Sequence, residues 1–163
     1  MEKTTTKSQF QMTKTQPQGD ARTELINMMN DALALEHAAR IQYLAHAQVI
    51  SGLAAEPVID RIKEIAGDEE EHAEKFREMI GTYLGGVPTM CIAETQCPGT
   101  IDEILKVNLD IERTSVEFYA TILEKIHDLK PQLKYEYYQL EHQMRHIVID
   151  EEEHIAELSL LLG

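Results

Sequence analysis

Cysteine is scarce in this sequence. The 163 residues include only Cys91 and Cys97, which are too few for the disulfide framework of a small secreted domain. The five residues between them also do not match the spacing of a metal finger. We interpret them as two unpaired thiols in a connecting segment, and a redox disulfide near a functional site is the alternative.

Long apolar runs and basic residues are lacking as well. No apolar stretch approaches the roughly 18–20 residues of a membrane span, and the N-terminus has no apolar signal core. The protein is therefore expected in the cytoplasm and not in a membrane. Only 15 residues are Lys or Arg against 29 Asp or Glu, which gives a formal net charge of −14. Such a balance argues against a broad surface for DNA phosphates.

Residues that break helices or favour strands are few. The chain has 8 Gly, 5 Pro, 6% aromatic residues and no Trp. This composition favours an all-α fold, and 163 residues are enough for one domain with a substantial core. Residues 1–19 are polar and poor in large apolar side chains, so we expect a flexible tail there. Residues 20–163 are then the folded domain.

Start and stop signals delimit the first two helices. Asp20 is expected to cap the first, which runs to about Ser51. Pro57 fits the first turn of the second, and the pair Gly85-Gly86 ends it.

The second half of the chain carries two more helix signals. Thr100 and Glu103 have the spacing of a capping box for the third helix, and Pro131 is expected to start the fourth. Residues 85–99 are long for a turn between neighbouring helices. They are therefore predicted to form a crossover along a four-helix bundle.

An acidic pentapeptide occurs twice. Asp-Glu-Glu-Glu-His stands at residues 68–72 and again 82 residues later, at 150–154. Each copy contains Glu-x-x-His, whose two side chains project from the same face of a helix. A single acidic run in a helix is usually a solvated surface. The fact that the run occurs twice is what favours a metal site.

Each half of the chain also places a single Glu upstream of its pentapeptide, in the apolar stripe of the preceding helix. Six charged or ligating side chains thus lie within otherwise apolar stripes: Glu36, Glu69, His72, Glu112, Glu151 and His154. Burying four carboxylates without a cation is costly, whereas two divalent ions would offset four negative charges. Facing helices that bring such groups together form a dinuclear metal site.

The ligand types favour two iron ions, with manganese as the alternative, because structural zinc sites more often contain thiolates. Asp68 and Asp150 each precede a histidine by four residues and could accept its second ring proton, most plausibly from the opposite helix. Solvation at the helix surface is the alternative. Tyr43 could bond to a ligand carboxylate or fill the core, and Tyr119 is expected to fill the core.

These motifs resemble the ferritin-like diiron superfamily. The resemblance rests on the segment 35–43, which contains Glu36 and Tyr43, and on the two Asp-Glu-x-x-His segments, and it covers residues 20–163. The bacterioferritin and rubrerythrin branches and the Dps-like ferritins are the most similar. The resemblance implies an antiparallel four-helix bundle with a long crossover between the second and third helices. It also implies that Glu69 and Glu151 are bridging carboxylates.

Several features depart from those branches. Bacterioferritins bind haem through a Met after the bridging Glu of the second helix, and Glu70 stands there, so we expect no haem. Only nine residues follow His154, too few for the fifth helix of 24-subunit shells, so a 12-mer is slightly favoured over a 24-mer or dimer. The Cys-x-x-Cys domain of rubrerythrins is absent. One Dps-like group carries a cysteine pair, but its second cysteine would fall near Thr114.

By this resemblance the protein is a ferroxidase that oxidises and sequesters Fe(II) with O2 or H2O2 and protects against iron-driven oxidative stress. A rubrerythrin-like peroxidase without storage is one alternative. A structural bundle whose carboxylates pair with Lys or Arg is another, although the stripes offer only Arg40. His142 and His146, four residues apart, could form an auxiliary metal site, but a surface role is the simpler interpretation.

Overall fold

A computed structural model describes residues 20–53 and 55–163, so the tail predicted at 1–19 lies outside the described residues. Every regular element in the described part is helical, which confirms the all-α prediction. The α-helices are α1 (Ala21–Val49), α2 (Ala55–Glu78), α3 (Ile101–Asp128) and α4 (Tyr137–Leu162). A π-helix, Met79–Tyr83, continues α2. None of the described helices has the length and hydropathy that crossing a membrane requires.

The predicted helix starts are confirmed for the first three helices. The Asp20 carboxylate accepts a hydrogen bond from the backbone N–H of Thr23 at 2.9 Å. Pro57 lies in the first turn of α2. Thr100 and Glu103 form a complete capping box, in which each side chain bonds to the backbone of the other residue.

The prediction that Pro131 starts the fourth helix is wrong. After α3 ends at Asp128, the chain makes successive turns, and α4 begins only at Tyr137. Leu133 is buried in these turns, with its N–H bonded to the Leu129 carbonyl at 3.0 Å. A proline fits the early positions of a turn as well as those of a helix, and here the buried Leu133 anchors a turn.

The π-helix ends at the predicted glycine pair. Its wider turn is closed by the Leu84 N–H, which donates to the Met79 carbonyl at 3.0 Å. Gly85 then adopts a positive φ of 71°, which reverses the chain. Gly86 packs so closely that a Cβ built on it would lie 2.9 Å from Cγ2 of Ile26.

The crossover between α2 and α3 runs along α1, as predicted. Near its beginning, the Thr89 N–H donates to the Asn30 side chain at 2.7 Å. Near its end, the Gln96 N–H donates to the Gln42 side chain at 2.6 Å, and the Gln96 carbonyl lies 2.9 Å from Nε2 of His46. The crossover is thus fixed to the side chains of one helix over much of that helix's length.

Two apolar clusters fill the bundle, where α1 packs mainly on α2 and α3 mainly on α4. The first cluster includes Leu25, Leu33, Phe76, Tyr119, Ile122, Met144 and Ile147. The second includes Tyr43, Ile62, Ile65, Leu105, Leu109 and Leu158. On every helix the six predicted site residues fall between the two clusters, and they form a polar layer inside the bundle.

Candidate metal centre

The polar layer is built from all four α-helices. Its members are only 1–3% exposed: Glu36 on α1, Glu69 and His72 on α2, Glu112 on α3, and Glu151 and His154 on α4. Each member interrupts an apolar stripe whose other members pack in the two clusters. Helical periodicity therefore carries these groups into the interior, where solvent does not screen their charges.

The six side chains converge in two overlapping groups. In each group, every residue offers a ligand atom within 4.8 Å of the others. The first group contains Glu36, Glu69, His72 and Glu151. The second contains Glu69, Glu112, Glu151 and His154. Because two carboxylates belong to both groups, the arrangement has the form of two adjacent cation sites that share two ligands.

Each histidine faces carboxylates with both of its ring nitrogens. Nδ1 of His72 lies 3.1 Å from Glu151, while Nε2 lies 3.3 Å from Asp150 of α4. For His154, Nδ1 lies 3.1 Å from Glu151, while Nε2 lies 3.3 Å from Asp68 of α2. Each aspartate therefore contacts the histidine of the opposite helix. Nδ1 of each ring is directed into the polar layer.

Two tyrosines hold the carboxylates of the first and third helices. The Tyr43 hydroxyl donates to Glu112, and the Tyr119 hydroxyl donates to Glu36 at 2.6 Å. The expectation that Tyr119 only fills the core is therefore wrong. A signal was present in the sequence, because each tyrosine follows the glutamate of its own helix by seven residues.

Basic residues do not neutralise this layer. Within residues 20–53 and 55–163, neither Lys nor Arg forms an ion pair with any of its four glutamates. Arg40 instead pairs with Glu70 at 2.9 Å, and Arg77 pairs with the same carboxylate at 3.0 Å. Glu70 is about half exposed, so it is an ion-paired surface position outside the polar layer. The geometry also disfavours a purely structural bundle.

The donor set fits a pair of divalent cations. Oε2 of Glu36 and Oε1 of Glu69 are buried and have no hydrogen-bond partner among the described residues. Such orphaned acceptors are costly unless something else in the site pairs with them. Carboxylate oxygens with one imidazole per ion are ligands that suit iron or manganese.

Protons take over part of the charge compensation when no cation is bound. Burial, together with the charge of Glu151, raises the pKa of the Glu69 and Glu112 carboxyls well above the usual range. Burial alone would also raise the pKa of Glu151, but hydrogen bonds from His154 and His72 hold it below the usual range. Burial alone would lower the pKa of both histidines, and hydrogen bonds to Glu151 raise it instead.

An acidic cavity lies beside the polar layer. It has a volume of about 260 Å³, and His154 forms part of its wall. The other lining residues are Arg61, Asp68, Glu71, Asp150, Glu153 and Glu157. A cation next to His154 therefore has a negatively charged space between it and the surface.

The two cysteines are free and exposed in this structure, and their interpretation as unpaired thiols stays a prediction. The Cys91 carbonyl lies 2.9 Å from Nδ1 of His37, and Cys97 follows Gln96, which contacts His46. The two histidines are nine residues apart on α1, or about 13 Å along its axis. The two cysteines therefore belong to parts of the crossover that contact different levels of α1.

The match that decides the family covers most of the chain. Residues 26–163 match the family model described as the ferritin-like domain. The chain belongs to the ferritin-like family. The resemblance inferred from the paired Glu-x-x-His motifs is thereby confirmed, and so is the prediction of a ferritin-like bundle.

Named ferritins are distant relatives of this member of the family. It is 33% identical over 88 residues to proteins named bacterial ferritin from Neisseria meningitidis serogroup B and Neisseria gonorrhoeae. The alignment covers 54% of this chain and 56% of each relative. The chain thus spans about half the length of the curated relatives it matches.

Solved structures show the same bundle. A ferritin-like diiron-carboxylate protein from Bacillus anthracis str. Ames is 27% identical, with a TM-score of 0.81, over 89% of this chain and 99% of that one. A dodecameric thioferritin, the bacterioferritin-related protein of Bacteroides fragilis, is 26% identical, with a TM-score of 0.70, over 85% and 83%. Bacterioferritin from Rhodobacter capsulatus shares the fold at 21% identity and a TM-score of 0.75, over 88% and 85%.

Proposed function

We propose that this ferritin-like protein is a ferroxidase, which oxidises Fe(II) at an intrasubunit two-iron centre and sequesters the Fe(III) in the cytoplasm. The observation that carries the proposal is the pair of overlapping ligand groups that share Glu69 and Glu151. Membership of a diiron-carboxylate family supports iron as the metal.

The proposed roles follow from the two groups. Glu36 and His72 would hold one ion, Glu112 and His154 would hold the other, and the two carboxylates common to both groups, Glu69 and Glu151, would be shared between the ions. Two Fe(II) ions supply two electrons, which with two protons reduce O2 to H2O2 or H2O2 to two water molecules. The protein supplies position and charge for this reaction, and the site excludes bulk water because its ligands are almost fully buried.

Residues behind the ligands fix their orientation. Asp68 and Asp150 accept the outer ring protons of the two histidines, so that each Nδ1 stays directed at the ions. Tyr43 donates a hydrogen bond to one oxygen of Glu112, and Tyr119 donates to one oxygen of Glu36. The other oxygen of Glu36 has no partner among the described residues and is available to an ion.

The test is stopped-flow oxidation of Fe(II) added anaerobically, followed by O2 or H2O2. The wild type should form Fe(III) faster than buffer, and the Glu36→Ala, Glu112→Ala double variant should not exceed buffer. Glu152→Ala is the matched control, because Glu152 is an exposed carboxylate next to the bridging Glu151. Equal rates in the wild type and the double variant would refute the proposal.

A peroxidase that cycles iron without storing it would use the same centre. The acidic cavity beside His154 favours storage, because it offers departing Fe(III) a path of carboxylates. Iron loading separates the two functions: many irons per subunit indicate storage, whereas two per subunit with sustained H2O2 turnover indicate a peroxidase.

We expect no haem. The expected haem-ligand position is occupied by Glu70, whose carboxylate is already engaged by Arg40 and Arg77. Haem titration followed by absorption spectroscopy checks this, and the Soret band of protein-bound haem would contradict it. For assembly we propose a shell of twelve subunits, which is supported by the dodecameric relative from Bacteroides fragilis.

A further inference from the structure

A pair of histidines on α4 has no part in the proposed centre. His142 and His146 are both exposed, and their ring centroids are 4.5 Å apart. Among the described residues, neither ring forms a hydrogen bond or an ion pair with a protein group. The other exposed histidine on the α3–α4 side, His127, packs against Tyr137 instead, with centroids 6.3 Å apart.

The separation of the two rings matches that of two imidazoles bound to one ion. With metal–nitrogen bonds of about 2.0–2.1 Å, neighbouring imidazole ligands have ring centroids about 4.5–5 Å apart. Positions i and i+4 of a helix lie one above the other, so the backbone of α4 keeps both side chains within reach of one ion. Both side chains are exposed, and rotation about their own bonds can turn a nitrogen of each ring toward a common ion.

Two sequence neighbours of the pair contact acidic side chains. Arg145, which stands between the two histidines in sequence, is paired with Glu141 at 2.9 Å. Gln143 donates to Glu78 of α2 at 2.9 Å, and Glu78 lines an acidic cavity of about 510 Å³. That cavity is lined by Glu71, Glu74, Lys75 and Glu78. The excess of carboxylates raises the local concentration of cations.

We propose that His142 and His146 bind one divalent transition metal ion of the Cu(II), Ni(II) and Zn(II) class, at a site separate from the buried centre. The ligands differ in kind, because this pair offers two imidazoles, whereas the buried centre offers mainly carboxylates with one imidazole per ion. Imidazole suits copper, nickel and zinc, and Cu(II) is bound most tightly in the usual order of divalent metals. The site therefore takes a metal other than the one the buried centre is built for.

The test is titration of the full-length protein with Cu(II), followed by electron paramagnetic resonance. An ion held by the pair shows hyperfine splitting from two ligand nitrogens, whereas an ion in the buried centre shows splitting from one. His142→Asn and His146→Asn should each abolish the two-nitrogen signal and weaken Cu(II) binding at this site about tenfold or more, because the second ligand acts at high effective concentration. His127→Asn should leave the signal unchanged.

A second control keeps the number of histidines constant. Combining His146→Asn with Ile149→His places the two imidazoles seven residues apart, about 10 Å along the helix, where one ion cannot reach both. Ile149 is 40% exposed, so the replacement is compatible with folding, which circular dichroism verifies. The proposal is overturned if the wild type lacks the two-nitrogen signal, or if either single variant or the separated pair retains it. Neither result bears on iron oxidation at the buried centre.

Discussion

At the scale of single residues, the buried histidines are unusual because both ring nitrogens face carboxylates. His72 and His154 each present Nδ1 to the polar layer and Nε2 to an aspartate of the facing helix. Helical periodicity was sufficient to single out the six residues that converge, because each interrupts an apolar stripe. The ion pairs of Glu70 depend on which helix lies opposite, and a stripe on one helix does not contain that information.

Removing the outer aspartates should weaken metal binding without unfolding the bundle. Asp68→Asn and Asp150→Asn each leave one imidazole without its charged partner, and we expect about a tenfold loss of Fe(II) or Mn(II) affinity. Both aspartates are partly exposed, so thermal unfolding of the metal-free protein should change little. Glu152→Gln serves as the control, and equal affinity in all four proteins would contradict the assigned orientation role.

Metal binding should release protons. The raised pKa values of Glu69 and Glu112 favour the protonated carboxyls in the metal-free protein, and a carboxylate must lose its proton to bind a cation. Affinity should therefore rise with pH, and calorimetry in buffers of different ionisation enthalpy should show proton release. Affinity that is independent of pH between about 5.5 and 7.5 would contradict this account.

At the scale of helices and loops, local signals predicted the caps, and tertiary packing decided the exceptions. Asp20 and the pair Thr100 and Glu103 cap their helices through contacts within one turn, which sequence patterns capture. Pro131 marks a turn because Leu133 packs into the core, and the π-helix arises where α2 meets the glycine pair. The core residues around Leu133 are remote in sequence, so no local signal contains that contact.

Gly86 is a position where an added methyl group would crowd neighbouring side chains. Gly86→Ala places a Cβ within 2.9 Å of Ile26 and 3.1 Å of Ile80, so we expect a loss of about 1–3 kcal/mol in the free energy of unfolding. Gly67→Ala is the matched control, since its Cβ meets nothing within 4 Å and lies inside a helix. That variant should gain roughly 0.5–1 kcal/mol, because alanine is the better helix former. Chemical denaturation measures both, and similar values for the two would count against the close packing.

The capping box offers a test with two readouts. Thr100→Ala removes the side chain that bonds to the Glu103 backbone, and we expect a loss of about 1 kcal/mol in the free energy of unfolding. Hydrogen bonds from Thr100 hold the pKa of Glu103 below its usual range, so the same change should raise that pKa toward normal. Nuclear magnetic resonance titration follows the carboxyl directly. An unchanged Glu103 pKa would show that the box does not persist in solution.

At the scale of the whole molecule, the two halves of the sequence build the same layered arrangement. Two apolar clusters enclose one polar layer, and each half of the sequence contributes a single Glu and a Glu-x-x-His to it. This layering could be predicted from one sequence, because it repeats within the chain. Subunit number depends on surfaces that the pattern does not describe, so it remains a proposal.

Solution mass tests the proposed assembly. Twelve chains of 18.6 kDa give a shell of about 220 kDa, which analytical ultracentrifugation distinguishes from a dimer or a 24-subunit shell. The same preparation should show no salt-sensitive shift of DNA in a gel, because the net charge of −14 repels phosphates. A sharp species at twice the chain mass would refute the shell.

The crossed pairing of Asp68 with His154, and of Asp150 with His72, bears on how such a sequence can change over generations. Each copy of the pentapeptide supplies the aspartate that orients the imidazole of the other copy. Replacing the aspartate of one repeat therefore affects the histidine of the other repeat. The two repeats are thus not free to change independently. Among homologues, we expect position 68 to covary with position 154, at the far end of the chain, and not with its near neighbour at 72.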